Sequence, residues 1–128
     1  MTLGGIILDT SSILFALSNK VDIFIAAREE LSLDPVISLG VIRELRRISK
    51  SAKASSKAAS VALELIKKRE EAVVSDNHYV DDWILSAAGK YDGVCTNDTK
   101  LRRALRANGV RVYAVSREQR LYGCRRAL

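Results

Sequence analysis

The stretch Gly4-Gly5-Ile6-Ile7-Leu8-Asp9-Thr10-Ser11-Ser12 decides the fold. Its apolar, β-branched half has the composition of a buried strand. An acid and three hydroxyls stop it before a second apolar run, Ile13-Leu14-Phe15-Ala16-Leu17, which predicts a helix. In open α/β sheets ligands bind beyond the carboxyl ends of the strands, so Asp9 is the first residue to suspect of chemistry. Taken alone it has a second explanation, as a carboxylate capping the helix that follows.

Working outward, residues 21–31 carry apolar side chains at 21, 23, 24, 26, 27 and 31, which predicts an amphipathic helix. Residues 33–37 predict a short strand, with Pro35 near its start or on a sheet edge, and Ser38 caps a helix over 39–50. On that helix Val41, Ile42, Leu45 and Ile48 share one arc while Arg43, Arg46 and Arg47 face away; Glu44 stands at the border, about 40° from Ile48. Glu44 therefore either reaches the edge of a core-facing cleft or pairs with Arg43 or Arg47 on the surface. Residues 49–60 contain only Ser, Lys and Ala and predict a second helix, hairpinned on the first and running to about residue 70. Lys50, Lys53 and Lys57 would form one basic stripe on it, either a solvated face or an arm that contacts phosphates.

Residues 72–75 predict a strand and Asp76-Asn77 a loop; His78, the lone histidine, is a loop residue rather than a metal ligand. A helix follows over 79–91. On it Asp81 shares a side with Ile84, Leu85 and Ala88, whereas Asp82 points with Ser86 and Gly89 and suits a helix-dipole partner. Asp92-Gly93 turns into a buried strand over 94–96. Asn97-Asp98-Thr99 opens a helix with Leu101, Ala104 and Leu105 inward and Arg102, Arg103 and Arg106 outward, and Asn108-Gly109 ends it. Residues 111–115 read as the last strand. The tail, with Arg117, Arg120, Arg125 and Arg126 against Glu118, is expected to be mobile or RNA-contacting. The uninterrupted alternation predicts one α/β domain over residues 1–128 with a mostly parallel sheet.

The 128 residues are 48% hydrophobic with one Pro, which fits an ordered globular chain. No apolar stretch approaches the roughly 18–20 residues of a membrane span, and no leader pattern opens the chain; a soluble, cytoplasmic protein with no membrane partner is expected. Cys95 and Cys124 belong to no CxxC pair, which argues against structural zinc and fits a reducing compartment. The formal charge of +6 favours polyanionic partners, nucleic acid first.

Four acids share a pattern: Asp9 and Asp98 after strands, Glu44 at the edge of an apolar helix face, Asp81 on the packed side of a helix. Carboxylates brought together without a cation repel one another and take up protons. With the Lys and Arg side chains on outward faces, a divalent cation is the natural counter-charge, and all-oxygen ligation suits Mg²⁺ or Mn²⁺.

Leu8-Asp9-Thr10-Ser11-Ser12-Ile13-Leu14, Val41-Ile42-Arg43-Glu44-Leu45-Arg46-Arg47-Ile48, Val80-Asp81-Asp82-Trp83-Ile84-Leu85 and Thr96-Asn97-Asp98-Thr99-Lys100-Leu101-Arg102 resemble, in order and spacing, the four motifs of PIN-domain ribonucleases. The resemblance spans essentially the whole chain. It implies a three-layer α/β/α sandwich and Mg²⁺- or Mn²⁺-dependent cleavage of single-stranded RNA, with water as the nucleophile. By position it implies Asp9, Glu44, Asp81 and Asp98 as catalytic and metal-site acids. Ser11, where the family often has Asn, would support them together with Thr96, Asn97 and Asp82; Asp82 is also the alternative to Asp81 as ligand. Arg43, Arg47, Lys50, Lys53 and Lys57 would contact RNA. The adjacent aspartates and the Asp98-Thr99-Lys100-Leu101-Arg102-Arg103 helix look closer to rRNA-processing and archaeal branches than to typical toxins.

Two other functions remain as alternatives: a non-catalytic RNA- or protein-binding module of the same fold, and a toxin-type ribonuclease held by an antitoxin. An RNA-processing partner or a homodimer through residues 21–31 is also compatible with the sequence. Haloacid-dehalogenase chemistry lacks its second aspartate, because Ser11 occupies that place, and dinucleotide binding lacks its Gly-rich turn.

Overall fold

The computed structural model describes residues 4–76, 79–118 and 121–123. The element order is β1 (Gly5–Leu8), α1 (Thr10–Ser18), α2 (Ile23–Leu31), β2 (Asp34–Ser38), α3 (Leu39–Ser49), α4 (Ser56–Lys68), β3 (Ala72–Val74) and α5 (Val80–Ala87). A 3₁₀ turn (Ala88–Lys90), β4 (Gly93–Cys95), α6 (Thr99–Ala107), β5 (Val112–Val115) and β6 (Leu121–Gly123) complete it. The sheet order is β3-β2-β1-β4-β5-β6; the first five strands are parallel, and β6 runs antiparallel to β5.

Alternation along β1 builds the three layers. Ile6 and Leu8 point into the larger core with Ile13, Phe24, Val41, Leu45 and Ala62 of α1–α4. Ile7 points the other way, onto Ile84, Leu101 and Leu105 of α5 and α6. Each of the larger side chains among them, Val, Leu, Ile or Phe, stabilises the fold by roughly 1.5–3 kcal/mol when removed from water. Helices thus cover both faces, as a parallel sheet requires. No single helix among the described residues is long and apolar enough to cross a membrane.

Pro35 lies inside the sheet, since β2 has neighbours on both sides. It is opposite Ile6, one residue before the pairing with β3 begins at Val36, so its missing N–H interrupts no bond to β3.

Three expectations need correction. Residues 50–55 are a turn, so Lys50, Lys53 and Lys57 form no stripe on one helix: Lys50 caps the end of α3, Lys53 is in the turn and Lys57 is in the first turn of α4. The serines break the helix by competing for backbone groups. Ser49 Oγ donates to the Arg46 carbonyl, Ser51 Oγ to that of Ile48, and Ser51 Oγ accepts from Lys53 N. Second, β5 is not the last strand, because residues 121–123 pair with it as β6. Third, Arg102 and Arg106 are partly buried rather than outward. The loop assignments of Asn77 and His78, and the tail residues Arg120, Cys124, Arg125 and Arg126, lie outside the described residues.

At the amino ends of β2 and β3, Arg28 of α2 grips Glu71 with two parallel bonds, Nη1 to Oε2 at 2.9 Å and Nη2 to Oε1 at 2.6 Å. Its Nε also donates to Asp34 Oδ1 at 3.2 Å. The Glu71 side chain is wholly buried. At the opposite end, Asp76 Oδ2 accepts from Gly40 N at 2.9 Å and Asp76 Oδ1 from Arg43 Nη2 at 3.3 Å. A Cβ on Gly40 would run into the Asp76 carboxylate and Val80. Glycine therefore permits the close approach that joins the start of α3 to the chain beyond β3.

Candidate active site

The strand order reverses between β1 and β4, and the chain leaves both strands at the same rim, with Asp9 after β1 and Thr96 after β4. That crevice is where an open α/β sheet accepts ligands. Its backbone is stitched tightly. Asp9 N donates to the Cys95 carbonyl at 2.9 Å, and Ser12 Oγ is 2.9 Å from the carbonyls of both Asp9 and Cys95.

Asp9 stands at the N-cap position of α1, yet its side chain makes no capping bond. Its Oδ2 instead accepts from Thr96 Oγ1 at 2.8 Å and Ser11 Oγ at 3.0 Å. Those hydroxyls receive Asp98 N at 3.1 Å and Asn97 N at 3.0 Å, respectively. Two chains of donors thus run from the backbone through hydroxyls to one carboxylate oxygen. Such a network has its purpose when that oxygen is charged. Asn97 exchanges bonds with the Val115 backbone, Nδ2 to O at 3.0 Å and Oδ1 from N at 2.9 Å, which ties this loop to the tip of β5.

Only 6% of Asp9 is exposed. Burial pushes its carboxyl above the ordinary value; the bonds from Thr96, Ser11 and the Thr10 backbone pull it back, and the Asp98 charge adds to the rise. Glu44 is half-buried on α3, and its Oε1 accepts from Thr10 Oγ1 at 3.3 Å. Its carboxyl is also raised, by burial first and then by the Asp9 charge, with Thr10 and Arg47 opposing and Asp81 adding.

Asp81 is exposed rather than held on the packed side; the packed positions of this turn are Ile84, Ala87 and Ala88. Partial burial nevertheless raises its carboxyl, ahead of the charges of Asp9, Asp98 and its neighbour Asp82, while Lys100 opposes. Asp82 is likewise exposed, in the first turn of α5. Asp98 is a true helix cap, its Oδ1 accepting from Lys100 N at 2.9 Å and Leu101 N at 3.2 Å. Its charge also acts on Asp9 and Asp81. The four acids singled out from sequence therefore share one electrostatic neighbourhood. The cations are less remote than expected, since Arg47 acts on Glu44 and Lys100 on Asp81.

Among the described residues no three His, Cys, Asp or Glu side chains stand close enough to enclose an ion by themselves. Mg²⁺ is commonly held through one or two carboxylates, with waters and substrate oxygens completing the shell. The all-oxygen donor set around Asp9 matches this chemistry.

Beside the acids, between α3 and α5, lies a cavity of about 450 Å³ lined by Gly40, Arg43, Glu44, Arg47, Tyr79, Val80 and Asp81. Arg43 and Arg47 are exposed on its α3 wall. Lys50, Lys53 and Lys57 are also exposed, around the turn beyond. Sequence reasoning missed Thr10, Ser12, Asp76 and Tyr79. The run of three hydroxyls after Asp9 was a usable signal for the first two. Asp76 acts on partners 33 and 36 residues away, which leaves no local trace.

A family model described as "PIN like domain" matches residues 6–119. Ribonuclease VapC9 of Archaeoglobus fulgidus is 30% identical over 118 residues, covering 91% of this chain and 86% of that protein. The solved structure of the PIN domain endonuclease Utp24 superposes with a TM-score of 0.76 at 25% identity, over 97% of this chain and 92% of that one. With Asp9 at the switch point of a five-stranded parallel core, the chain belongs to the PIN-domain ribonuclease family.

Proposed function

We propose that this protein is a Mg²⁺- or Mn²⁺-dependent endoribonuclease that cleaves single-stranded RNA at the carboxyl rim of its sheet. The observation that carries it is Asp9, buried at the switch point with two hydroxyls donating to one of its oxygens. Asp9, Glu44, Asp81 and Asp98 would together supply the negative field for the cation, with no more than two of them in direct contact with it; the cation would supply a counter-charge for the phosphate and activate water as nucleophile. Ser11 and Thr96 fix the Asp9 carboxylate, Asn97 ties the Asp98 loop to the tip of β5, Asp82 adds negative charge beside Asp81, and Arg43 and Arg47 would draw the phosphate backbone toward the site. The ribonuclease and endonuclease names of the two relatives favour catalysis over a purely binding role. The test is cleavage of an unstructured RNA in MnCl₂. Activity should vanish with EDTA and in Asp98→Asn; cleavage that survives both defeats the assignment.

The raised carboxyls fix the sign of a pH effect. Asp9 and Glu44 have ordinary values of 3.8 and 4.5, and both lie higher in the fold. The folded chain therefore binds more protons than the unfolded one above those values, and metal-free stability declines as pH climbs through the raised range. A divalent cation needs the same groups deprotonated. Millimolar MnCl₂ should accordingly raise Tm more at pH 8 than at pH 5, by an amount equivalent to about 2.7 kcal/mol when the ion is at 100-fold its Kd. Equal shifts at the two pH values would place the ion elsewhere.

Replacing Lys50, Lys53 and Lys57 together by Ala should weaken RNA binding and flatten its salt dependence, the log–log slope falling by up to about 0.7 for each phosphate these lysines neutralise. An unchanged slope in a salt titration would leave them as solvated side chains.

A further inference from the structure

The cavity between α3 and α5 holds an aromatic side chain that none of the acid chemistry uses. Tyr79 lines it and is 72% exposed, the most exposed large apolar or aromatic side chain among the described residues. Its backbone is extended and its carbonyl accepts from Trp83 N at 3.0 Å, so the residue is anchored as the N-cap of α5. Arg43 and Arg47, one helical turn apart on α3, line the same cavity. Arg43 is steered by its bond to the buried Asp76 carboxylate. Glu44 and Asp81 also line it, and both feel the Asp9 charge.

An open ring, two guanidinium groups and a volume of about 450 Å³ beside a candidate phosphodiester site are the components of a nucleotide subsite. We propose that Tyr79 is a base-stacking platform for the nucleotide adjoining the reacting phosphate, and that Arg43 and Arg47 receive that nucleotide's phosphate. The proposal deepens the nuclease assignment above and rests on it for the identity of the substrate. It also gives a physical reason for single-strand preference. A paired base is already stacked inside its duplex and cannot cover the Tyr79 ring, whereas an unpaired base can swing out onto it.

The test measures binding of a fluorescent oligouridylate by anisotropy, in an Asp9→Asn background that prevents turnover. Tyr79→Ala should weaken binding roughly 10-fold and Tyr79→Phe less than about twofold, the range expected for one stacked base. A matched RNA duplex should bind both variants alike. Placing one abasic nucleotide at successive positions should reveal a single position where affinity falls with Tyr79 present and falls no further in Tyr79→Ala. A Tyr79→Ala variant that binds oligouridylate normally, or that loses single-strand and duplex binding equally, overturns the platform; so does RNA that fails to bind at all. Cleavage by the unsubstituted protein in MnCl₂ is read separately. Cleavage with no dependence of binding on Tyr79 removes the platform and leaves the nuclease, while Tyr79-dependent binding without cleavage does the reverse.

Discussion

Asp9→Asn is expected to lower RNA cleavage by at least about 100-fold, because losing a ligand should exceed the 10- to 100-fold typical of losing an outer-shell partner. The same substitution should leave the fold intact and raise the Tm of the metal-free protein at neutral pH. The two results have one cause. Asp9 is almost wholly out of water, and burial is the largest influence on its carboxyl, so ionising it works against folding unless a cation is present. Asn keeps an oxygen that can accept from Thr96 and Ser11 while removing the charge. Cleavage assays and thermal melts in EDTA read the two effects independently. Full activity in the variant would take Asp9 out of the chemistry, and a lower metal-free Tm would mean that its hydrogen bonds outweigh its desolvation.

Arg28→Met should be strongly destabilising. It strands the Glu71 carboxylate, whose side chain is wholly buried and whose two oxygens are both held by Arg28. Breaking a buried pair from one side costs about 3–5 kcal/mol. Since 42% of the Arg28 side chain remains in water, we expect the lower edge, about 2–3 kcal/mol, or a fall in Tm of roughly 10 °C. Adding Glu71→Leu should recover most of the loss, because an apolar pair of similar volume avoids the buried charge. Urea denaturation of the two single variants and the double variant closes the cycle. A loss in Arg28→Met below about 0.5 kcal/mol would show that water reaches Glu71.

The central part of the fold was legible because local pattern and tertiary role coincide there. The run Ile6-Ile7-Leu8 can only be a two-sided buried strand, and its end at Asp9 follows from the hydroxyls after it. Asp98 was legible for the same reason, since a cap position and a strand end coincide. Residues 50–55 misled because Ala and Lys favour a helix, while the serine hydroxyls that interrupt it act through bonds only two or three residues long. The strand Leu121–Gly123 is too short to carry a period and exists through its pairing with β5. For Asp81, helical periodicity predicted the packed side, and the side chain is exposed because its depth depends on how far α5 stands from the sheet, which no period records. The Arg28–Glu71 grip and the Asp76 brace join residues 43 and 36 apart, and no window along the chain contains both partners.

The Asp76 brace has a kinetic corollary. It fastens the first turn of α3 to the residue just beyond β3, so the helix that carries Glu44 is tied down at its start. If the nuclease proposal holds, a wall tied down in this way leaves the reshaping on encounter to the incoming polynucleotide. On that reading, association is expected to depend on how readily a strand surrenders its own internal order, with flexible, weakly self-stacked tracts entering ahead of stiff ones.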